Sequence, residues 1–387
     1  MRRFFIALAT GVTLGYTAVR VADARRERAN PSTPTPGDAR AYGAEKRALM
    51  LAGMGRSLAS LAMTAFVIAP PLDRMLPERP RALKLGLAIG ALTLLGSVAE
   101  LPADYVEGIA LERRYGTATQ TDADWLNDRI KSVALGGVFA FGMALAADAL
   151  VRRLPRTWPL VAIAAAPPLL AVLTVLVPTF VMPLFNKFVP IEGALEERIR
   201  ALARAYDVGN AQILRVDMSR RTTKANAYVT GVLGTERIVL GDTLIEHFQD
   251  DETLFVVAHE LGHYVARDAW RGIGVSSGLL AVTILGAHAL NRARPILTLA
   301  DALQFAFYAS LITTLLGPVG AAYSRQIEWA ADRFALAATN DAASGMAAFA
   351  RLREQNLAED EQPAWMETLF TSHPSLKARI AALAATI

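Results

Sequence analysis

Seven mostly apolar stretches of roughly 20 residues constrain this chain more than any other feature, because that is the length a helix needs to cross the hydrocarbon core of a bilayer. They lie at about residues 4–21, 52–72, 83–100, 132–151, 159–181, 272–290 and 302–322. Apolar residues make up 53% of the chain and charged ones 20%, which excludes an ordinary soluble globule. The expected fold class is mainly α, a multi-pass membrane protein with about seven transmembrane helices. The second stretch is the weakest. Arg56 lies one turn inside it and Pro70-Pro71 close it, so Arg56 is expected to snorkel toward the interface. The first stretch, with Arg2-Arg3 before it and Ala22-Asp23-Ala24 after it, also fits a cleaved signal peptide. Its length favours a retained anchor. Residues 23–47 read as a polar linker containing Pro and Arg.

The positive charges indicate sidedness. With the N-terminus outside, the inner segments hold 28 Lys and Arg and the outer ones 11. This favours an inner C-terminus. Segment 186–271 and the tail 323–387 then share the cytoplasmic side, since two spans separate them. The expected organisation is an N-terminal membrane region at 1–185, with the linker at 23–47 and a loop at 101–131. A peptidase segment at 186–271, two spans at 272–322 and a C-terminal peptidase segment at 323–387 follow.

The chain has no cysteine, so disulfides and thiolate chemistry are excluded. The net charge is +4, but no Lys/Arg stripe with interleaved aromatics appears, and no nucleic-acid partner is expected. Arg outnumbers Lys 34 to 6, a bias associated with GC-rich bacterial genomes, so a bacterial cytoplasmic membrane is the expected location.

One pentad carries chemistry: His259-Glu260-Leu261-Gly262-His263. Acidic residues at 250–252 suit a helix start, and the helix is expected to run unbroken to Arg271-Gly272. Positions i and i+4 share a helix face, so His259 and His263 can point at one tetrahedral Zn2+. Glu260 is offset around the helix and can act as general base on a water without binding the metal. Gly262 is expected to permit close approach of another backbone or of substrate. The chain has five histidines, and two at this spacing around a glutamate are hard to attribute to chance.

A third ligand is needed. Glu328, in Ser324-Arg325-Gln326-Ile327-Glu328-Trp329-Ala330-Ala331-Asp332, follows the seventh span on the same side. Asp332 shares its helix face and could take the free N–H of a ligand histidine. An exposed helix face bearing Arg325, Glu328 and Asp332 is the competing reading, and the residues alone leave the two open.

Taken together, these residues resemble the type I CAAX prenyl endopeptidases, integral membrane zinc metallopeptidases of the gluzincin type. The resemblance covers about residue 95 to the end. It includes Leu101-Pro102, Tyr105, Leu111-Glu112-Arg113-Arg114-Tyr115-Gly116 and Trp125, then Pro183-Leu184-Phe185-Asn186-Lys187-Phe188 with Pro190. It continues through Asn226-Ala227-Tyr228 with Gly231, Arg237-Ile238-Val239-Leu240, Asp242-Thr243-Leu244, and Ser372-His373-Pro374-Ser375 with Arg379. It implies seven spans around a water-filled chamber and a zinc peptidase domain with a small β-hairpin or sheet. By this resemblance His259, His263 and Glu328 are ligands and Glu260 the base, while Asn226, His373 and Arg379 contact substrate or oxyanion. Residues 225–231, with Asn226, Ala227 and Tyr228, form an edge strand that aligns the peptide, a known mode of peptide capture. Read without the resemblance, His373 before Pro374 is a helix-start residue. The family often carries a histidine five residues past the second ligand, where this chain has Asp268. His247 reads as a surface residue and His288 as a helix-end residue.

The expected function is a membrane-embedded zinc metalloendopeptidase of the CAAX prenyl protease type. Its expected partners are the bilayer and a polypeptide substrate that carries a prenyl group in the family's own case. One alternative is a quality-control protease like the HtpX heat-shock membrane proteases. A zinc-stabilised membrane scaffold is the non-enzymatic alternative, and the intact Glu260 argues against it. A transporter is disfavoured because no span centre reads as charged.

Overall fold

The computed structural model describes residues 38–231 and 234–387. Six helices among these are long and apolar enough to cross a membrane: α1 Ala39–Met75, α2 Arg81–Arg114, α3 Asp122–Arg153, α4 Trp158–Leu184, α8 Asp268–Leu290 and α9 Leu299–Thr339. They correspond to the second through seventh predicted spans. The first predicted span, and residues 23–37 of the predicted linker, lie outside the described residues.

Two boundaries need correction. Residues 39–47 were expected in the linker but are the first turns of α1, started by the Asp38 carboxylate accepting from the Ala41 N–H. The expected loop 101–131 is mostly helix, since α2 runs on to Arg114 and α3 begins at Asp122 under a Thr121 cap. Both are polar helical extensions beyond the hydrocarbon, which a search for apolar runs cannot see.

The spans expose large apolar side chains outward, including Leu94, Val98, Val138, Phe139, Phe180 and Leu315. Helix α3 buries none of its residues against the rest of the chain. Such a surface matches lipid, where helices satisfy their own backbone hydrogen bonds. Arg56 does not snorkel. It is 9% exposed and ion-paired with Glu100 and Glu107, the latter at 2.9 Å. The membrane region therefore holds a buried, paired charge cluster, the arrangement expected of charges that face a bundle interior.

At the end of the bundle away from the short turns 76–80, 154–157 and 291–298, segment 185–267 folds into a four-stranded sheet backed by helices. The strands β1 Phe188–Pro190, β2 Gln212–Val216, β3 Ala227–Thr230 and β4 Arg237–Gly241 lie in the order β1-β2-β4-β3. β2 and β4 are parallel, and β3 pairs antiparallel with β4 in the register Ala227↔Leu240. That leaves β3 on the edge, as expected. One sheet face packs on α5 (Ala194–Arg204) and α7 (Asp250–Val265), with Ile199, Ile213, Leu240, Val257 and Leu261 in the common core. The remaining helices are α6 Asp242–His247, α10 Ala342–Gln355, α11 Ala364–Leu369 and α12 Leu376–Ala384.

Helix α9 has 41 residues, about 60 Å at 1.5 Å per residue. That is twice the hydrocarbon thickness, so its last turns leave the bilayer and reach into the peptidase segment.

Candidate metal centre

The pentad sits on α7, which starts at a reciprocal capping box: Gln249 caps the third residue, and the Glu252 carboxylate accepts from the Gln249 N–H at 2.9 Å. Its helix does not reach Arg271 as expected. It stops at Val265, Ala266 caps it, and Arg267 takes a left-handed conformation with φ 58° before α8 begins at Asp268. A non-glycine residue there costs about 1 kcal/mol. The corner turns the Asp268 carboxylate back toward α7.

His259 and His263 project from one face of α7 with ring planes at 89° and Nε2 atoms 3.2 Å apart. Glu328, from the extension of α9, places Oε2 3.3 Å from His259 Nε2 and Oε1 3.4 Å from His263 Nε2. The three side chains offer ligand atoms that a single metal ion could join. Glu328 Oε2 is buried with no hydrogen-bond partner among the described residues, the condition expected of an oxygen reserved for a metal. Of the two readings of 324–332, the exposed face is overturned: Glu328 is 4% and Asp332 5% exposed.

The far nitrogens of both imidazoles are held. Asp332 Oδ1 lies 2.9 Å from His259 Nδ1, and Asp268 Oδ2 lies 3.0 Å from His263 Nδ1. Carboxylates in these positions fix ring orientation and make the inward nitrogen a better ligand. Asp332 was anticipated. Asp268 was not, because a helix continuing to residue 271 would carry it away from His263.

The electrostatics favour a cation at this point. Burial opposes protonation of His259, but Asp332 and Glu328 more than reverse it and raise its pKa. His263 behaves alike: burial opposes, Glu328 and Asp268 prevail, and its pKa reaches about 9. A site that draws in protons this strongly offers the same field to a metal ion. Burial also raises the pKa of Glu260, against the pull of His259 and His263, which moves a carboxylate toward the range of a working general base.

Gly262 serves a backbone contact and not substrate. A Cβ there would stand 3.2 Å from Ala331 Cα on α9. Its absence lets the two ligand-bearing helices approach.

A cavity of about 640 Å³ opens beside the three ligands, and its wall includes Asn226, Ala227, Glu260, His373 and Arg379. His373 has a 61% exposed side chain and stands 3.2 Å from Glu328 Oε1. Arg379 lines the cavity but is itself engaged with its neighbours. It is 5% exposed, lies 4.1 Å over the Phe349 ring, and donates through Nε to Asp332 Oδ2 at 2.8 Å. Its guanidinium orients the Asp332–His259 pair. Tyr228 departs from the expected role. Strand alternation turns it away from Ala227 and the cavity, against Val216 and Val239. His247 lies on α6 outside the centre, with Nδ1 2.8 Å from the Thr243 carbonyl oxygen. His288, near the end of α8, meets Trp158 edge-on.

Sequence reading also missed Arg325. One turn before Glu328, it donates to the carbonyls of Thr371 at 2.7 Å and Thr368 at 3.1 Å, and so holds the segment that ends in His373.

Comparison with known proteins agrees with this geometry. Residues 191–387 match peptidase family M48, and residues 36–187 match the CAAX prenyl protease N-terminal family with five membrane helices. The uncharacterized metalloprotease YhfN of Bacillus subtilis (strain 168) is 28% identical over 75% of this chain and 70% of its own length. CAAX prenyl protease 1 of Saccharomyces cerevisiae is 34% identical over 46% of this chain and 39% of its own. The Dictyostelium discoideum CAAX prenyl protease 1 homolog is 36% identical over 43% and 40%, so the chain aligns with well under half of these two relatives. The crystal structure of S. mikatae Ste24p shares the fold, with a TM-score of 0.75 and 22% identity over 98% of both chains. The chain therefore belongs to peptidase family M48, and it is a metalloprotease built into a multi-pass membrane protein.

Proposed function

We propose that the metal is zinc, held by His259, His263 and Glu328, and that the enzyme cleaves an extended polypeptide near its C-terminus on the cytoplasmic side of a bacterial membrane. One observation carries the zinc assignment. The two Nε2 atoms are 3.2 Å apart, and the Glu328 carboxylate reaches one with Oε2 at 3.3 Å and the other with Oε1 at 3.4 Å, close to the edges of about 3.4 Å that bonds of 2.0–2.1 Å to a tetrahedral ion require. Two neutral nitrogens and one carboxylate oxygen with an open fourth position is the donor set of a catalytic zinc.

When bound, the ion supplies Lewis acidity, polarising the scissile carbonyl and bringing the pKa of water toward neutrality. The substrate lies along the free edge of β3, where Asn226 and Ala227 face the cavity and main-chain pairing fixes its direction. Glu260 takes the water proton onto its carboxylate and delivers it to the departing amine. His373 donates to the oxygen on which negative charge develops. Asp332, with Arg379 behind it, keeps the His259 ring in place.

The sidedness rests on the excess of Lys and Arg on the peptidase side, and the C-terminal preference on the named activity of the CAAX prenyl protease relatives. To test both chemistry and substrate, wild type and Glu260→Gln are purified, zinc is measured in both, and each is assayed on a prenylated CAAX peptide and on an unprenylated unfolded protein. Glu260→Gln should keep zinc and lose at least a hundredfold in rate. Equal rates overturn the mechanism. Cleavage of the unfolded protein alone overturns the prenyl substrate and favours a quality-control protease.

A further inference from the structure

The cavity beside the metal centre has a positive pole that the chemistry above does not use. Lys46, on the first turns of α1, lines the same cavity as Asn226, His259 and Glu260, and its side chain is 58% exposed. Its nearest partners do not consume its charge. The Glu112 carboxylate accepts from Lys224 at 2.6 Å, from Tyr42 at 2.7 Å and from Thr117. Lys46 stands 3.9 Å from that carboxylate and donates to the Tyr42 hydroxyl at 3.0 Å. Two ammonium groups thus share one carboxylate, and Lys46 is the outer of the two.

The rest of the cavity wall sharpens the contrast. Arg379, the other Lys or Arg among the described lining residues, is committed to Asp332. Of the acids, Glu260 and Glu328 belong to the metal centre, Glu359 is paired with Arg47 and Glu367 sits on α11. With zinc bound, the charge of the ion offsets Glu260 and Glu328 at the metal end; away from it the wall repels an anion at α11 and attracts it at α1. An extended tripeptide is about 10 Å long, and a cavity of about 640 Å³ has the volume to hold one.

We propose that Lys46 is a specificity residue that receives the C-terminal carboxylate of the bound peptide. The inference rests on the function proposed above. It explains how cleavage is confined to a chain end: a free carboxylate is found only there, and a charge-assisted hydrogen bond to an ammonium rewards it. The competing role, neutralisation of Glu112, predicts no preference between peptides that differ only at their terminus.

The test uses the full-length, zinc-loaded protein in detergent and two fluorescent peptides of one sequence, ending in a carboxylate or a carboxamide. Binding is measured by anisotropy with Glu260→Gln, with or without Lys46→Met or Lys46→Arg. Hydrolysis is measured with the wild type. Glu260→Gln should bind the acid about tenfold more tightly than the amide, less so at high salt because the site is partly exposed. Adding Lys46→Met should make both peptides bind as the amide binds to Glu260→Gln alone, and adding Lys46→Arg should keep the preference. Equal binding of acid and amide by Glu260→Gln overturns the proposal. A preference that survives Lys46→Met, or loss of amide binding in Lys46→Met, overturns it as well. A carboxylate preference without hydrolysis by the wild type overturns the proposed function and leaves the subsite standing.

Discussion

Asp268 Oδ2 lies 3.0 Å from Nδ1 of His263, across a corner made by Arg267 in the left-handed conformation. The same contact recurs on the other ligand, where Asp332 Oδ1 is 2.9 Å from His259 Nδ1. The two carboxylates differ in how they are themselves held. Asp332 is clamped by the buried Arg379. Asp268 Oδ1 is buried without a hydrogen bond among the described residues, and Arg271 approaches no closer than 3.5 Å.

That difference separates two substitutions. Asp268→Asn should weaken zinc affinity roughly 10–100-fold with little change in Tm of the zinc-saturated protein. Asp332→Asn should weaken zinc similarly and also lower Tm, because it removes the counter-charge of a buried arginine, a loss of about 3–5 kcal/mol. Competition against a calibrated chelator gives the affinities and thermal unfolding gives the stabilities. Identical profiles for the two variants would refute the distinction.

Zinc removal should expose the proton-holding character of the empty ligand set. The His263 pKa is raised from 6.5 to about 9 by Glu328 and Asp268 against burial. A raised folded-state pKa stabilises below the unfolded value and loses that stabilisation as pH climbs through the folded one. The chelated protein should therefore lose stability between about pH 6.5 and 9. Zinc competes with that proton, so the Tm increase on adding zinc should grow over the same window. A zinc-induced shift that is flat or shrinks with pH would count against the assignment.

Arg325 ties the metal helix to the segment bearing His373 through the carbonyls of Thr371 and Thr368. Arg325→Gln should lower kcat about tenfold, the equivalent of one charge-assisted hydrogen bond, while bound zinc stays stoichiometric. Arg325→Lys should recover part of the loss. A fall in zinc content that tracks the fall in rate would mean that Arg325 supports Glu328 itself and not His373.

The centre was legible in the sequence where local geometry sufficed. The i, i+4 histidines and the base between them follow from helical periodicity, whereas Glu328 and Asp332, open on the residues alone, entered the centre through the family resemblance. The Glu328 assignment needed tertiary contact to decide it, since an acidic pair on a helix reads equally well as solvated. Asp268 was hidden by one backbone dihedral at Arg267, which no propensity predicts. Arg56 was misread because its partners Glu100 and Glu107 lie 44 and 51 residues away, and pairing at that range leaves no periodic trace. The spans were found by apolar length, but their polar extensions, including the first turns of α1 that carry Lys46, fall outside that signal.

Gly262 supplies a test of how closely α7 and α9 must pack. A Cβ at this position would sit 3.1 Å from Phe334 Cδ1 and 3.2 Å from the Ala331 Cα. Helix propensity alone favours alanine over glycine by about 1 kcal/mol. The Phe334 ring can turn aside, but the Ala331 backbone cannot, so the helices must part by a few tenths of an ångström. Overpacking of this kind costs about 1–3 kcal/mol. Since His259 and His263 lie on one helix and Glu328 on the other, the same displacement stretches the ligand set. Gly262→Ala should lower both Tm and zinc affinity, and excess zinc should restore part of the Tm through mass action. Gly272→Ala, on α8 with nothing within 4 Å of the added Cβ, should leave zinc affinity unchanged and shift Tm only by its helix propensity. If Gly262→Ala proves as stable and as metal-avid as that control, the close approach of the two helices is not what holds Glu328 against the histidines.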